Sequence, residues 1–501
     1  MNQNISTPKE AAAVVLLEHD SETKICWARR SASLKFLPNY QAFAGGKVET
    51  SDAETRVENC GDDTEKRILI ACAARETFEE IGVLLVRNAE KMTRGQRASL
   101  HDDLISGRML FWEILAHWNL WIDANDFTFV GRWTTPPFSP MRFRTVFYLA
   151  VCPPKQTPYA AIGELEDVEF IEASEALARW RRSEVLCTPP TLNAIRVFSD
   201  AKKSVREKVA ELLEIATAQG AQPRRIELNS RIVMFPLKTE TLPPATHTNC
   251  FIVGGKRFIV IDAAAKDESE QAALNKFIGE KINRGDVCQA IIITHQHRDH
   301  TGGETALREF LREEFNLEIP IAAHELTAES LTGKIKIQKY IEDDEAFDLQ
   351  NENGEHFDLK TLHTPGHARG LLAFYDEELG FLLSGDNVIS LGSVVIAPPE
   401  GNMKNYLQSL ERLKNLPNLR FLCGSHGAAV FGAKGKIEEY IAHRLEREKQ
   451  ILAAVEKGAK TPREIVEKVY TDVSPALYEL AEKSVEAHLE KLREDGEISR
   501  E

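Results

Sequence analysis

The sequence lacks several features of exported proteins, of membrane-bound proteins and of proteins with a broad nucleic-acid-binding surface. No apolar run approaches the roughly 20 residues needed to span a bilayer, and the start Met1-Asn2-Gln3-Asn4 is polar and uncharged, unlike a signal peptide. Lys and Arg number 62 against 77 Asp and Glu, a formal net charge of −15. An acidic balance disfavours a broad nucleic-acid surface, although a locally basic groove stays possible. We therefore expect a cytoplasmic protein with no membrane contact.

Closely spaced cysteine pairs are also missing. The eight cysteines are scattered along the chain without a CxxC motif, and several lie inside apolar stretches. This distribution predicts reduced core residues rather than a disulfide framework.

The chain is too long for one hydrophobic core. At 501 residues it is expected to form two or three domains. A Lys- and Glu-rich helix is predicted at 201–216, and the segment 219–223 (QGAQP) then ends it. A second change, from strand-like to helical patterning, follows His426. We predict an α/β multidomain protein with domains at 1–218, 219–432 and 433–501.

The most informative segment is THQHRDH at 294–300, which follows the apolar run 290–293. Three imidazoles and a carboxylate within six residues suit a divalent borderline metal, above all zinc. If the strand continued through the motif, His295 and His297 would project to the same side, with Asp299 and His300 at a turn. Further ligand types follow other apolar runs, where a sheet edge opens into a loop. They are His367, Asp386 and His426.

From about 225 to 430 this pattern resembles the metallo-β-lactamase-fold hydrolases, whose signature is HxHxDH followed by His, Asp and His. The resemblance implies an αββα sandwich holding two zinc ions. It also implies that Asp386 bridges the two ions, that Asp262 orients a ligand from behind, and that Asp299 serves catalysis as well as metal binding. The first ion would be held by His295, His297 and His367, and the second by Asp299, His300 and His426.

Two metal ions that share a water lower its pKa and hold the attacked group, so the expected chemistry is hydrolysis of an ester, thioester or phosphodiester. The fold serves many substrates, so the motif leaves the substrate open. His247, His324 and His363 have no place in this ligand set, and we interpret them as structural.

A second acidic motif, RETFEEIGV, lies at 75–83. On a helix, Glu76, Glu79 and Glu80 face one way, and oxygen ligands of this kind suit Mg²⁺ or Mn²⁺. The segment resembles the second half of the Nudix box. With a start near Gly46 and an insertion that displaces Glu49 from its usual register, residues 10–200 resemble the expanded-box, coenzyme A diphosphatase-like branch.

That resemblance implies a Nudix α/β/α sandwich that hydrolyses a diphosphate linkage. The metal ligands would be Glu76, Glu79 and Glu80, with Glu79 and Glu80 also catalytic. Arg75 would orient these carboxylates, and Glu164 or Glu166 would be a further acid from a distant loop.

The C-terminal residues 433–501 resemble the small winged-helix extension of metallo-β-lactamase-fold proteins that include a single-strand endoribonuclease branch. Their 13 Lys and Arg against 16 Asp and Glu are unfavourable for following a phosphate backbone. We therefore favour packing against the hydrolase domain over nucleic-acid contact.

Three functions remain open. The first is a two-site hydrolase of small molecules, such as a nucleotide or coenzyme A conjugate. The second is a single-strand RNA endonuclease whose Nudix domain only binds a nucleotide or an RNA end. The third gives the Nudix domain the role of a silent ligand sensor. A β-lactamase is the least favoured because no export signal is present. The sequence does not indicate an oligomeric state.

Overall fold

The computed structural model describes residues 6–161, 163–219, 224–471 and 473–499. The chain divides into two compact units, one ending at Asn229 and the other starting at Ser230. The predicted break at 219–223 lies, from Gly220 on, outside the described residues. The domain limits 218/219 and 432/433 stay predictions.

The first unit surrounds a mixed sheet. Its central strands are ordered β10-β3-β2-β1-β8-β7, with β4 added to β1 and β9 to β2, and β1 runs parallel to β8. The strands are β1 (Lys9–Leu17), β2 (Lys24–Arg30), β3 (Tyr40–Ala42), β4 (Ala44–Lys47), β5 (Val57–Glu58), β6 (Ile122–Asp123), β7 (Thr128–Thr134), β8 (Phe143–Val151), β9 (Leu165–Glu172), β10 (Leu186–Cys187) and β11 (Ile226–Glu227). The helices are α1 (Thr64–Ile81), α2 (Arg94–Ile105), α3 (Phe111–His117), α4 (Ala173–Arg181), α5 (Pro189–Phe198) and α6 (Val205–Ala218).

Helix α1, which carries the acidic motif, is defined at both ends. Asp63 Oδ1 accepts a hydrogen bond from the Lys66 backbone N–H at 2.9 Å, a standard N-cap. Gly82 ends the helix in the left-handed region at φ 67°, which glycine adopts without a Cβ penalty. The buried side of α1, including Leu69, Ile70 and Phe78, packs in one core with β1 and β8 residues.

The strands of the second unit form two groups that meet at β14. One group runs β12-β13-β14-β15-β16-β17, and the other continues from β14 through β18-β19-β20-β21-β22-β23. The strands are β12 (Ile232–Lys238), β13 (His247–Val253), β14 (Arg257–Ile261), β15 (Val287–Ile292), β16 (Ile321–Ala323), β17 (Lys339–Tyr340), β18 (Ala346–Gln350), β19 (His356–His363), β20 (Leu372–Asp376), β21 (Phe381–Gly385), β22 (Phe421–Gly424) and β23 (Val430–Phe431). The helices are α7 (Glu268–Asn283), α8 (Glu304–Phe315), α9 (Glu325–Ser330), α10 (Met403–Lys414), α11 (Ala433–Glu456), α12 (Pro462–Val469) and α13 (Tyr478–Glu494).

Each strand group of the second unit is covered by its own helices. Apolar residues of α7 and α8 share one core with β12–β16, and those of α10 and α11 share another with β19–β22. A smaller core joins the end of α11 to α12 and α13. The apolar stripe of the C-terminal residues is therefore buried within the second unit.

No described helix is long and apolar enough to cross a membrane. All eight cysteines lack disulfide bonds, and all except Cys60 are buried. The expectation of core cysteines is therefore confirmed for the seven buried ones.

Candidate metal centre

The predicted ligands of the second unit lie in loops that leave the carboxyl ends of four strands. The HxHxDH residues follow β15, His367 follows β19, Asp386 follows β21 directly, and His426 follows β22. The conditional expectation that His295 and His297 share a strand face is wrong, because β15 already ends at Ile292. The loop, rather than the alternation of a strand, brings their rings together.

The side chains form three overlapping groups whose ligand atoms lie within 4.8 Å of one another. Two of them coincide with the predicted ligand sets. In the third, Asp386 joins one histidine from each set, where the resemblance implies a bridging carboxylate. The groups are His295, His297 and His367; Asp299, His300 and His426; and His295, His300 and Asp386.

The first group is a cluster of neutral imidazoles. His297 Nδ1 lies 2.9 Å from His295 Nε2 and 2.9 Å from His367 Nε2. Burial lowers the pKa of all three rings, that of His297 to about 4. His295 Nε2 and His367 Nε2 both face His297 Nδ1, which carries at most one proton and can therefore donate to only one of them. A cation is the partner that satisfies this arrangement.

In the second group, charged neighbours outweigh burial in setting the pKa values. Burial by itself lowers the pKa of His300, but the surrounding carboxylates of Asp386, Asp262 and Asp299 outweigh it and raise the pKa well above its usual value. Burial likewise raises the pKa of Asp386, but His300 and His426 outweigh it and hold that pKa well below its usual range. Asp299 stays ionised for the same reason, since His300 lowers its pKa against burial.

Two buried polar atoms at the centre have no hydrogen-bond partner among the described residues. They are His300 Nε2 and Asp386 Oδ1. A buried polar atom without a partner is costly, and both atoms belong to the group that joins the two ligand sets. The donor set of five imidazoles and two carboxylates therefore fits two zinc-class ions.

Three of the clustered imidazoles are oriented from behind through their second ring nitrogen. His300 Nδ1 donates to Asp262 Oδ2 at 2.8 Å, so Asp262 occupies the orienting position that the sequence predicted. His426 Nδ1 donates to the backbone carbonyl of His247 at 2.9 Å. His367 Nδ1 donates to the carbonyl of Val395 at 2.8 Å. The two carbonyls carry no side-chain signal, and sequence patterns could not identify them.

The histidines that we interpreted as structural lie outside these three groups. His324 and His363 stack with ring centroids 3.9 Å apart, and His324 Nδ1 caps α9 by accepting from the Leu326 N–H. The side chain of His247 contacts Thr246.

In the first unit, a buried arginine organises the predicted carboxylates of α1. Arg75 Nη1 donates to Glu76 Oε1 at 2.9 Å and to Glu79 Oε2 at 2.8 Å. Glu80 is turned away from that arginine and accepts from the Gly45 N–H at 2.7 Å. Within the described residues these three carboxylates do not converge as the histidine groups do.

The residue that the sequence interpretation missed is Asp52. It is buried, and its carboxylate pairs with Arg75 through two hydrogen bonds of 2.7 and 3.1 Å. Glu49 instead caps the short turn at Thr50–Glu54. Gly46 and Asp52 have the Gx5E spacing of the motif, with Asp in place of Glu, so a signal was present. The inserted residues between Asp52 and α1 obscured it.

Burial also sets the charge state of this acidic site. It raises the pKa of Glu76 to about 7 and the pKa values of Glu79 and Glu80 in the same direction. A Cβ at Gly46 would lie 2.5 Å from Glu76 Oε1, so a larger residue there would displace the Glu76 carboxylate. Glu164 and Glu166 lie at the start of β9, where the charge of Glu164 adds to burial in raising the pKa of Glu80 and Glu166 pairs with Arg29.

Comparison with known proteins assigns the second unit. Residues 243–426 match the family model of the metallo-beta-lactamase superfamily, and residues 461–501 match the beta-lactamase associated winged helix domain. The beta-lactamase-like protein 2 homolog of Caenorhabditis elegans is 26% identical over 253 residues, covering 50% of this chain and 80% of that protein. The atrochrysone carboxyl ACP thioesterase dmxR1 of Cryptosporiopsis sp. is 28% identical over 225 residues, covering 42% and 63%.

Two solved structures resemble different parts of the chain. A metallo-beta-lactamase family protein of Thermus thermophilus is 24% identical, with a TM-score of 0.42, and covers 54% of this chain and 95% of its own. A NUDIX hydrolase of Alicyclobacillus acidocaldarius is 26% identical, with a TM-score of 0.35, and covers 41% and 96%. The family matches and the histidine–aspartate cluster lead to one conclusion: this protein is a hydrolase with a metallo-β-lactamase domain and the winged helix domain associated with it.

Proposed function

We propose that the chain hydrolyses an ester, thioester or phosphodiester at a dinuclear zinc site in its second unit. The observation that carries the proposal is the set of three overlapping ligand groups, in which Asp386 joins the two predicted halves. The first ion would be held by His295, His297 and His367, and the second by Asp299, His300 and His426.

Two zinc ions at this site would supply an activated water and offset negative charge that develops on the attacked group. The residues of the chain would keep the site ready for that chemistry. Asp299 is the less buried of the two carboxylate ligands, with 18% of its side chain exposed, and its Oδ2 lies 3.5 Å from His426 Nε2. We assign to this ionised carboxylate the orientation of the attacking water and the acceptance of a hydrogen bond from it.

Among the possible substrates, a small thioester has the most support. One relative is named an acyl carrier protein thioesterase, and an acidic chain attracts a polyanion poorly. A nucleotide or coenzyme A conjugate would connect this site to the acidic site of the first unit, since such a molecule carries both a diphosphate and an acyl linkage.

The test is metal content and hydrolysis in matched variants. Wild-type protein should carry about two zinc-class ions per chain. His297→Ala and Asp386→Asn should lose metal. Removing only an outer hydrogen-bond partner of a metal ligand typically costs about 10- to 100-fold, so hydrolysis of acyl-CoA thioesters by these two variants should fall by more than that. His356→Ala, an exposed histidine that pairs with Asp348, is the control. Wild-type protein that holds no transition metal and takes up no added zinc would overturn the proposal.

We also propose a second, Mg²⁺- or Mn²⁺-dependent site in the first unit, with a Nudix α/β/α sandwich and hydrolysis of a diphosphate linkage. The supporting observation is the arrangement of Glu76 and Glu79 around Arg75, with Gly46 leaving room beside Glu76. Glu76, Glu79 and Glu80 would hold the cation, and Glu79 and Glu80 would also act on the attacking water. Burial raises the pKa values of Glu76 and Glu79, so a bound cation would stabilise their ionised forms.

This second site is tested separately from the first. Diphosphate hydrolysis of nucleotide sugars, dinucleotides and coenzyme A should require added Mg²⁺ or Mn²⁺ and be lost in Glu79→Gln and Glu80→Gln. It should persist in His297→Ala. Activity that survives both glutamate changes, or never appears with these substrates, would favour the silent sensor.

The competing function is a single-strand RNA endonuclease with a nucleotide-binding first unit. The acidic balance of residues 433–501 opposes it. RNA affinity should therefore be weak and fall steeply between low and physiological salt. Tight RNA binding at physiological salt that disappears when residues 433–501 are deleted would favour the endonuclease.

A further inference from the structure

The loop between β21 and α10 connects two parts of the proposed metal centre. It begins next to Asp386, and further along the carbonyl of Val395 accepts the hydrogen bond that orients His367. The same loop reaches the third part of the centre, because the Ser390 N–H donates to the His426 carbonyl at 3.1 Å. The backbone of this loop therefore has to be fixed if three ligands are to keep their places.

Two helices hold the loop at three of its carbonyl groups. Tyr406 of α10 donates its hydroxyl to the carbonyl of Asn387 at 2.6 Å. Tyr440 of α11 donates to the carbonyl of Ile389 at 2.8 Å. Hydrogen bonds from side chains replace, in this irregular segment, the ladder bonds that fix a strand.

Arg444, one turn further along α11, holds the position closest to His367. Its Nη2 donates to the carbonyl of Val394 at 2.5 Å, and the next carbonyl along the chain, that of Val395, is the acceptor for His367. The two peptide groups are adjacent, so fixing the first restricts the second. On the opposite edge of the His367 ring, Nε2 faces His297 Nδ1 at 2.9 Å.

Arg444 is a costly residue to place there for packing alone. Only 5% of it is exposed, and in the described part of the chain no carboxylate forms an ion pair with it. Its guanidinium lies 5.5 Å from the centre of the Tyr406 ring, which offsets part of the desolvation. A buried cation without an ion-pair partner is rare in a core, and its hydrogen bond goes to the loop that orients His367.

We propose that Tyr440 and Arg444 are positioning residues for the hydrolase site, which fix the loop 387–395 so that His367 presents Nε2 to zinc. The inference rests on the proposed zinc function. It assigns a role to α11, which lies between the segments 243–426 and 461–501 that the two family models match. Neither side chain touches the metal, because each acts through a backbone carbonyl.

The chain provides a matched control on the same helix. Arg447 also donates to a backbone carbonyl, that of Val469 at 2.6 Å, and also lies over a tyrosine ring, that of Tyr470 at 4.2 Å. It therefore repeats the chemistry of Arg444 but holds α12 instead of the loop 387–395. Arg447→Met should lower stability without changing the metal centre.

The experiment uses the full-length protein and compares Tyr440→Phe, Arg444→Met and Arg447→Met with wild type. Zinc affinity is measured by competition with a chromophoric chelator, and the ligand geometry by the visible spectrum of the Co²⁺-substituted protein. Loss of an outer support for a ligating histidine typically weakens metal binding about 10- to 100-fold. We expect about 10-fold weaker zinc binding and a shifted cobalt spectrum in Tyr440→Phe and Arg444→Met, with wild-type values in Arg447→Met.

Tyr440→Phe removes a single oxygen, so the test remains decisive if Arg444→Met fails to fold. Tyr440→Phe could instead keep the zinc affinity and cobalt spectrum of wild type and lose only stability, as expected for Arg447→Met. That result would show that α11 only packs against the domain, and it would overturn the inference. Wild-type protein that binds no zinc would instead overturn the proposed function, and this inference with it.

Discussion

At the scale of single residues, the protein uses its environment to give identical side chains opposite charge states. Burial, together with the neighbouring His367 and His300 rings, lowers the pKa of His297 although two carboxylates act in the opposite direction. Burial between carboxylates leaves the pKa of His300 raised. A neutral imidazole can donate a lone pair to a metal at neutral pH, whereas a protonated one must first lose its proton. The two halves of the centre should therefore differ in how strongly pH affects metal uptake.

The environment of His324 leads to a prediction about stability that does not depend on bound metal. Burial, and then the stacked ring of His363, lower the pKa of His324 to about 4, while Asp343 acts weakly in the opposite direction. The unfolded chain binds a proton near the ordinary pKa of about 6.5 and the folded protein does not, so stability falls as pH drops from about 6.5 towards 4. His324→Asn keeps a capping oxygen for α9 but cannot titrate, so it should flatten this part of the curve.

The measurement is urea denaturation across that pH range, with His356→Asn as an exposed control. A variant curve that falls as steeply as that of wild type between about pH 6.5 and 4 would show that His324 does not contribute.

At the scale of elements, α1 illustrates how one helix supports a site through a single buried arginine. Arg75 contacts Asp52, Glu76 and Glu79 at once. The side chain of Asp52 is 1% exposed, so its charge is compensated mainly by Arg75. Breaking a buried pair on one side leaves a charge without its partner, which costs more than the pair contributes when intact.

Asp52→Asn should therefore destabilise α1 by about 3 kcal/mol, at the lower end of the range for a broken buried pair because Glu76 and Glu79 remain. Asp63→Ala, which removes only the N-cap of the same helix, should cost about 1 kcal/mol. Hydrogen exchange of the peptide amides in 64–81 measures both. Equal loss of protection in the two variants would show that the buried pair adds nothing beyond a cap.

At the scale of the whole molecule, the two units provide two cores and two candidate sites with different metal preferences. The histidine-rich centre suits zinc, and the carboxylate cluster suits Mg²⁺ or Mn²⁺. A ligand stabilises the part of a protein that it binds, by an amount that grows with its concentration relative to Kd. Metal removal should therefore affect the two units separately.

Zinc chelation should lower the melting temperature of the second unit and leave that of the first unchanged. With free zinc at about 1,000 times Kd, the lost stabilisation would be about 4 kcal/mol. Scanning calorimetry with and without chelator measures the effect, and re-addition of zinc should restore it. His297→Ala, with its site impaired, should respond little to chelator. A chelator effect of equal size in that variant would place the relevant metal elsewhere.

The sequence by itself determined the identity of the proposed zinc ligands and the residues of the acidic helix. Both are encoded locally, because HxHxDH and RETFEEIGV are short motifs whose spacing is dictated by the chemistry. It also determined the orienting position of Asp262, which directly follows an apolar strand.

Tertiary structure alone decided which groups form hydrogen bonds and ion pairs with those residues. Asp52 meets Arg75 across an insertion, and the carbonyls of His247 and Val395 orient ligands although every residue carries a carbonyl. Arg444 lies outside both family matches and approaches the centre only because α11 packs beside α10. Side-chain type is a property of the chain, but the acceptor that a buried donor finds depends on which backbone the packing brings within about 3 Å.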